Sequence, residues 1–174
     1  MNAPIGLFFG STTGNTEDVA QMLADGLGHQ LVAMHDIAVD GIAPATQYQQ
    51  LIMGIPTWDF GELQEDWLEL WPELEAMDFS GKQVALFGLG DQLGYGEWFL
   101  DAMGLLHDLL LSRGATLHGY TPVEGFSFEA SKALTADETQ FVGLAVDEDG
   151  QHGETDERVQ RWVAQLREEF SLSV

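Results

Sequence analysis

The chain has 174 residues, and 29 Asp and Glu against 6 Lys and Arg give it a formal net charge of −23. Hydrophobic residues make up 45%, enough to build the core of one domain, which excludes an acidic disordered tail. There is no cysteine, so disulfides, thiol catalysis, iron–sulfur clusters and Cys-type zinc sites are excluded.

Short apolar runs alternate with longer amphipathic stretches along the chain. Ile5 to Phe9 reads as a buried strand; it is too short for the apolar region of a signal peptide, and no basic segment precedes it. A cytoplasmic protein is expected. Thr16 to Leu27 is a predicted helix with Val19, Ala20, Leu23 and Leu27 on one face and Asn15 as its expected N-cap. Leu31 to Met34, Leu51 to Ile55 and Gln83 to Phe87 are predicted strands. Between the last two, Leu63, Trp67, Leu70, Trp71, Leu74 and Met77 make one helix face, which Pro72 is expected to kink or split.

A helix is predicted over Glu97 to Ser112, strands over Thr116 to Tyr120 and Phe141 to Val146, and a last helix from a Thr155 cap to about Phe170. Residues 121–140 read as an insertion that interrupts the last strand. With no linker or repeat, 1–174 is one domain, and the alternation predicts a parallel sheet covered by helices on both faces.

In such a sheet, ligands bind beyond the carboxyl ends of the strands. Gly10-Ser-Thr-Thr-Gly-Asn-Thr16 follows the first strand and offers four hydroxyls at a helix start, a phosphate cradle of N–H groups and hydroxyls. It lacks the lysine of a nucleotide-hydrolysing loop. Indeed 13 acidic residues and no basic one precede Lys82, so an anion held in this half must be held without a cation. Gly54 to Leu63 places Trp58 at a second strand end, and Gly88 to Gly96 places Tyr95 at a third. Together they describe a site for a planar ring carrying one phosphate, with an aromatic on either face. The five histidines show no i, i+3 or i, i+4 pair, so no metal site is expected.

Ser11-Thr-Thr-Gly-Asn-Thr16, Pro56-Thr-Trp-Asp-Phe-Gly-Glu-Leu63, Gly88-Leu-Gly-Asp-Gln-Leu-Gly-Tyr95 and Phe141-Val-Gly-Leu-Ala-Val-Asp147 carry a resemblance to the flavodoxins that covers essentially the whole chain. The 121–140 insertion resembles that of the long-chain class, and Gln64-Glu-Asp-Trp67 and Gly94 to Asp101 resemble the flavodoxin-2 branch. The resemblance implies an α/β three-layer sandwich with a five-stranded parallel sheet of order 2-1-3-4-5. Flavodoxin is itself the type example of that order and of FMN at its switch point, so both come with the family and not from the residue pattern.

It further implies that Ser11, Thr13, Asn15 and Thr16 bind the FMN phosphate with side chains and backbone, Thr12 and Gly14 mainly with backbone, and that Pro56 and Thr57 line the ribityl chain. Trp58 and Tyr95 would cover the two ring faces. Leu89, Gly90, Asp91 and Trp98 would follow the ring's polar edge, largely through main-chain groups, and Asp147 would lie near the ribityl chain. The peptide joining Asp59 to Phe60, ahead of Gly61, would reorient when the ring is reduced to its neutral semiquinone.

The implied activity is low-potential one-electron transfer through the semiquinone/hydroquinone couple, without substrate turnover. At about 8 Å and an effective dielectric near 20, one carboxylate opposes the second electron by about 2 kcal/mol, on the order of 90 mV before screening. The implied partners are basic-surfaced redox proteins: a donor of the flavodoxin/ferredoxin-NADP reductase type and acceptor enzymes, docking near Glu62, Glu65, Asp66 and Glu69. The charge opposes nucleic acid and anionic membranes as partners; a monomer is expected. Two alternatives stay open at this point. One is an FMN-dependent reductase with its own substrate. The other is a cofactor-free module of the response-regulator type, which would need a lysine near the last strand.

Overall fold

The computed structural model describes residues 4–11, 13–58 and 60–172. Its strands are β1 (Ile5–Phe9), β2 (Val32–Asp36), β3 (Gln50–Trp58), β4 (Glu62–Leu63), β5 (Gln83–Leu89), β6 (Thr116–His118), β7 (Thr121–Pro122), β8 (Gln140–Phe141) and β9 (Leu144–Val146). Its helices are α1 (Asn15–Leu27), α2 (Ile37–Asp40), α3 (Glu65–Ala76), α4 (Asp101–Ser112), α5 (Glu148–Gln151) and α6 (Thr155–Glu169).

The main sheet runs β2-β1-β3-β5-β6, with β9 continuing β6 along β5. All of these pairings are parallel. The expected 2-1-3-4-5 order is therefore present, its fifth position shared by two short strands. Alternate residues of each strand face opposite layers. Ile5, Leu7, Phe9, Ile52 and Phe87 pack against α1 and α6; Phe8, Leu51, Met53, Ile55 and Leu86 pack against α3 and α4. The main strands are apolar on both faces because both faces are covered.

The insertion departs from the expected strand. Phe141 pairs antiparallel with Thr121 in a two-stranded ladder of β7 and β8, and only Leu144–Val146 joins the main sheet. Three helix expectations are corrected as well. α3 is not split at Pro72 and continues through it, with Trp67 and Leu74 buried on either side holding both halves on the sheet. The helix expected from Glu97 is divided: a single 3-10 turn spans Gly96–Trp98, Leu100 adopts φ 61°, and α4 starts at Asp101. Thr155 begins α6 but does not cap it; its hydroxyl donates to Glu148. Among the described residues, no helix is long and apolar enough to cross a membrane.

Candidate functional site

The carboxyl ends of β1, β3 and β5 open into one cleft of about 340 Å³, within the range of small-ligand sites. One end is the loop from Gly10 into α1. Gly14 adopts φ 93°, a left-handed conformation that glycine reaches without strain, and its N–H donates to Ser11 Oγ at 3.0 Å. Gly14, not Asn15, occupies the cap position, and no side chain caps the helix. That corrects the expected role of Asn15, whose side chain lines the cleft with Thr13 and Thr16 instead. The first-turn N–H groups of a 13-residue helix therefore face the cleft end with hydroxyls around them. This donor set suits a phosphate monoester and needs no cation.

The middle of the cleft is lined by Pro56, Thr57 and Trp58 from β3 and by Leu89, Gly90, Asp91 and Tyr95 from β5 and its loop. Several of these groups are already committed. Thr57 Oγ1 accepts the Ala102 N–H at 3.0 Å and fastens β3 to the start of α4. Asp91 Oδ1 accepts the N–H groups of Leu93 and Gly94 at 3.1 and 2.8 Å, so its carboxylate shapes its own turn. Gly90 N–H donates to Val146 O. What faces the cleft here is backbone and ring surface, suited to a flat ligand.

Of the expected site residues, Thr13, Asn15, Thr16, Pro56, Thr57, Trp58, Leu89, Gly90, Asp91 and Tyr95 come together in this cleft. Thr12 and Asp59 lie outside the described residues. Ser11 and Gly14 are not in the lining and bond to each other within the loop. Phe60, Gly61 and Trp98 stand beyond the cleft wall, with Trp98 lining a neighbouring groove beside Ser127 and Phe128 of the insertion.

Asp147 is fully buried and does not line the cleft. It accepts from Gln92 Nε2 at 2.8 Å and from Gly150 N–H at 2.8 Å. Gln92 Oε1 in turn accepts the Ser127 N–H at 2.5 Å. This chain ties the loop after β5 to the insertion.

Sequence reasoning missed Glu148 and Asp149, which complete the lining. They come one residue after β9, beyond Asp147, so the strand-end rule that found the other loops could have found them too. Burial raises the Asp149 pKa, and the neighbouring Asp91, Asp147 and Glu148 push it the same way. The cleft is a place where added negative charge is opposed.

A doubly wound parallel sheet with a hydroxyl-rich loop at a helix start and an aromatic-lined slot at its strand ends is the architecture of mononucleotide-binding α/β proteins. The flavodoxin family profile matches residues 7–162, and the chain belongs to that family. It is 51% identical to Flavodoxin 2 of Salmonella typhi over 167 residues, 96% of each chain. Similarity to Flavodoxin 1 of Escherichia coli K12 is comparable, 52% identity over 96% of this chain and 94% of that one. Likeness to Flavodoxin 2 over nearly the full length agrees with the expected long-chain, flavodoxin-2-type assignment. Among solved structures, the Fusobacterium nucleatum flavodoxin bound to flavin mononucleotide superposes with a TM-score of 0.89 at 28% identity, covering 95% of this chain and 97% of that one. Flavodoxins are electron-transfer flavoproteins, and this chain is one of them.

Proposed function

We propose that this chain holds FMN non-covalently in the cleft and works as a low-potential one-electron carrier in the cytoplasm. The observation that carries the reading is the cleft itself: hydroxyl and backbone donors at the α1 N-terminus, and Trp58 and Tyr95 in one lining with backbone between them. The bound flavin would supply the redox chemistry. The protein's part is to fix the phosphate at Thr13, Asn15 and Thr16, to hold the ring between aromatic faces, and to oppose its negative charge. Asp91, Glu148 and Asp149 in the lining, with Asp147 buried behind them, act in that last direction and favour a low value for the lower of the two one-electron couples.

Partner docking belongs to the same reading. Phe60 (64% exposed) and Leu93 (77%), beside the cleft, and Leu68 (59%) on α3 leave apolar side chains uncovered. Exposed Glu62, Glu65, Glu69 and Glu97 and half-buried Asp66 lie close to them in the chain. An apolar centre with an acidic surround suits transient docking of a monomer to basic redox proteins, a reductase-type donor and acceptor enzymes.

The test is reconstitution with FMN followed by stoichiometric reduction watched in the visible spectrum. A yellow complex is expected, with a new long-wavelength band at one electron per flavin that disappears at a clearly lower potential. Riboflavin, which lacks the phosphate, is expected to bind far more weakly. A colourless protein, or one reduced in a single step without the band, would reject the reading.

A further inference from the structure

The turn after Trp58 carries a ring that the core does not use. β3 and β4 form a hairpin pairing Trp58 with Glu62, and Phe60 stands in its turn with 64% of its surface exposed. Its ring lies edge-to-face against Trp98, with centroids 4.8 Å apart and planes at 71°, and against Tyr95 at 6.5 Å and 75°. Tyr95 lines the cleft from the loop after β5. Phe60 therefore reaches from the hairpin that bears Trp58 to the loop that bears Tyr95.

We propose that Phe60 is a positioning residue that clasps Tyr95 and Trp98, holding the two walls of the ring slot together at its solvent end and slowing escape of the bound ring. This rests on the reading of the cleft as an FMN site. The two sides of the clasp are unequal. The Tyr95–Trp98 side is fastened to the insertion: Gly96 O accepts the N–H groups of Glu129 and Ala130, each at 2.9 Å, and Asp101 Oδ1 accepts the Lys132 N–H at 2.7 Å.

The hairpin turn sits closely on that side. Gly61 has φ 86°, and a Cβ there would meet Asp101 Oδ2 at 2.8 Å and Trp98 Cδ1 at 3.3 Å. A glycine is required on both counts, backbone conformation and space. At the tip of the hairpin carrying Trp58, the Phe60 ring is the side chain that meets the loop bearing Tyr95 and Trp98. An exposed ring gains little from burial, so its hold depends on the geometry of the two aromatic pairs.

The experiment measures FMN release from the reconstituted protein, without any partner, by the recovery of free-FMN fluorescence after dilution. Phe60→Ala and Trp98→Ala are each expected to release FMN about tenfold faster, given the usual strength of such pairs. The double variant is expected to release no faster than the quicker single one, because both remove the same contact. Phe60→Leu keeps bulk but no ring and should behave like Phe60→Ala, whereas Phe60→Tyr should restore the parent rate. Inorganic phosphate should bind all the apo-proteins alike, since the cradle is untouched. Release by Phe60→Ala within twofold of the parent, or additive effects in the double variant, would overturn the clasp. A parent that takes up no FMN would instead overturn the reading on which the clasp rests.

Discussion

Asp101 sits buried in the first turn of α4 with Oδ1 on the Lys132 N–H. Burial raises its pKa, and the Lys132 backbone bond and charge offset this only in part. A carboxyl whose folded pKa lies above its unfolded one favours folding while protonated and loses that contribution as the pH rises through the folded value. Asn keeps an acceptor for the Lys132 N–H and never ionises. Asp101→Asn should therefore gain stability relative to the parent as the pH rises from 4 to 7, read as the difference in urea unfolding free energy. A gain that shrinks over that range would show that the helix N-terminus stabilises the carboxylate more than burial penalises it. Residue identity was legible at this scale more often than residue direction. Ser11 and Thr57 were expected as ligand groups, yet each already accepts a backbone N–H of its own framework, whereas Asp91, expected to act largely through its main chain, does turn its carboxylate onto its own loop. Nothing in a local sequence pattern tells which way a hydroxyl or carboxylate turns.

The elements that the sequence places well are those decided by periodicity alone. β1, β3, β5, α1 and α6 are flanked by turns and repeat at strand or helix spacing, and all lie close to where they were expected. The misplaced boundaries depend on contacts distant in sequence. The helix from Glu97 is broken where Gly96 O and Phe99 N–H bond to residues 129 and 130. The last strand is divided because Phe141 and its neighbour pair with β7. The same junction between α4 and the insertion carries a prediction. Gly104 lies in mid-helix, where alanine alone would add about 1 kcal/mol of stability. A Cβ there would meet Lys132 O at 2.3 Å, Lys132 C at 2.4 Å and Ala133 N at 2.8 Å. These are backbone atoms of the insertion, and forcing them apart typically costs about 1–3 kcal/mol. Gly104→Ala should lower the urea midpoint despite its better helix propensity. A raised midpoint would mean that the insertion yields freely and is not seated on α4.

At the scale of the whole molecule, the charge of −23 is hardly neutralised from within. Arg158 and Arg161 pair with Glu154 and Glu157 on α6. Three other basic side chains are used on carbonyl oxygens: Lys82 on Thr46 and Tyr48, Arg113 on Met77, and Arg167 on Gly26 and Leu27 at the end of α1. Positive charge serves helix ends and turns, and the acidic surface is left to repel itself, which disfavours the compact state. The repulsion reaches across the molecule at about 10 mM salt, where the screening length is about 30 Å, and is confined to near neighbours at about 1 M, where it is about 3 Å. The melting temperature of the apo-protein at pH 7 should therefore climb with NaCl, by about 2–4 °C for each 1 kcal/mol of repulsion relieved. Near the isoelectric point of about 4.1, where roughly half the carboxylates are protonated and the net charge vanishes, the climb should shrink. Chloride is the anion to use, since sulfate would raise the melting temperature by strengthening apolar burial whatever the charge. A melting temperature that ignores NaCl at pH 7 would place the acidic residues too far apart to strain the fold. The case for the acidic surface would then rest on docking alone.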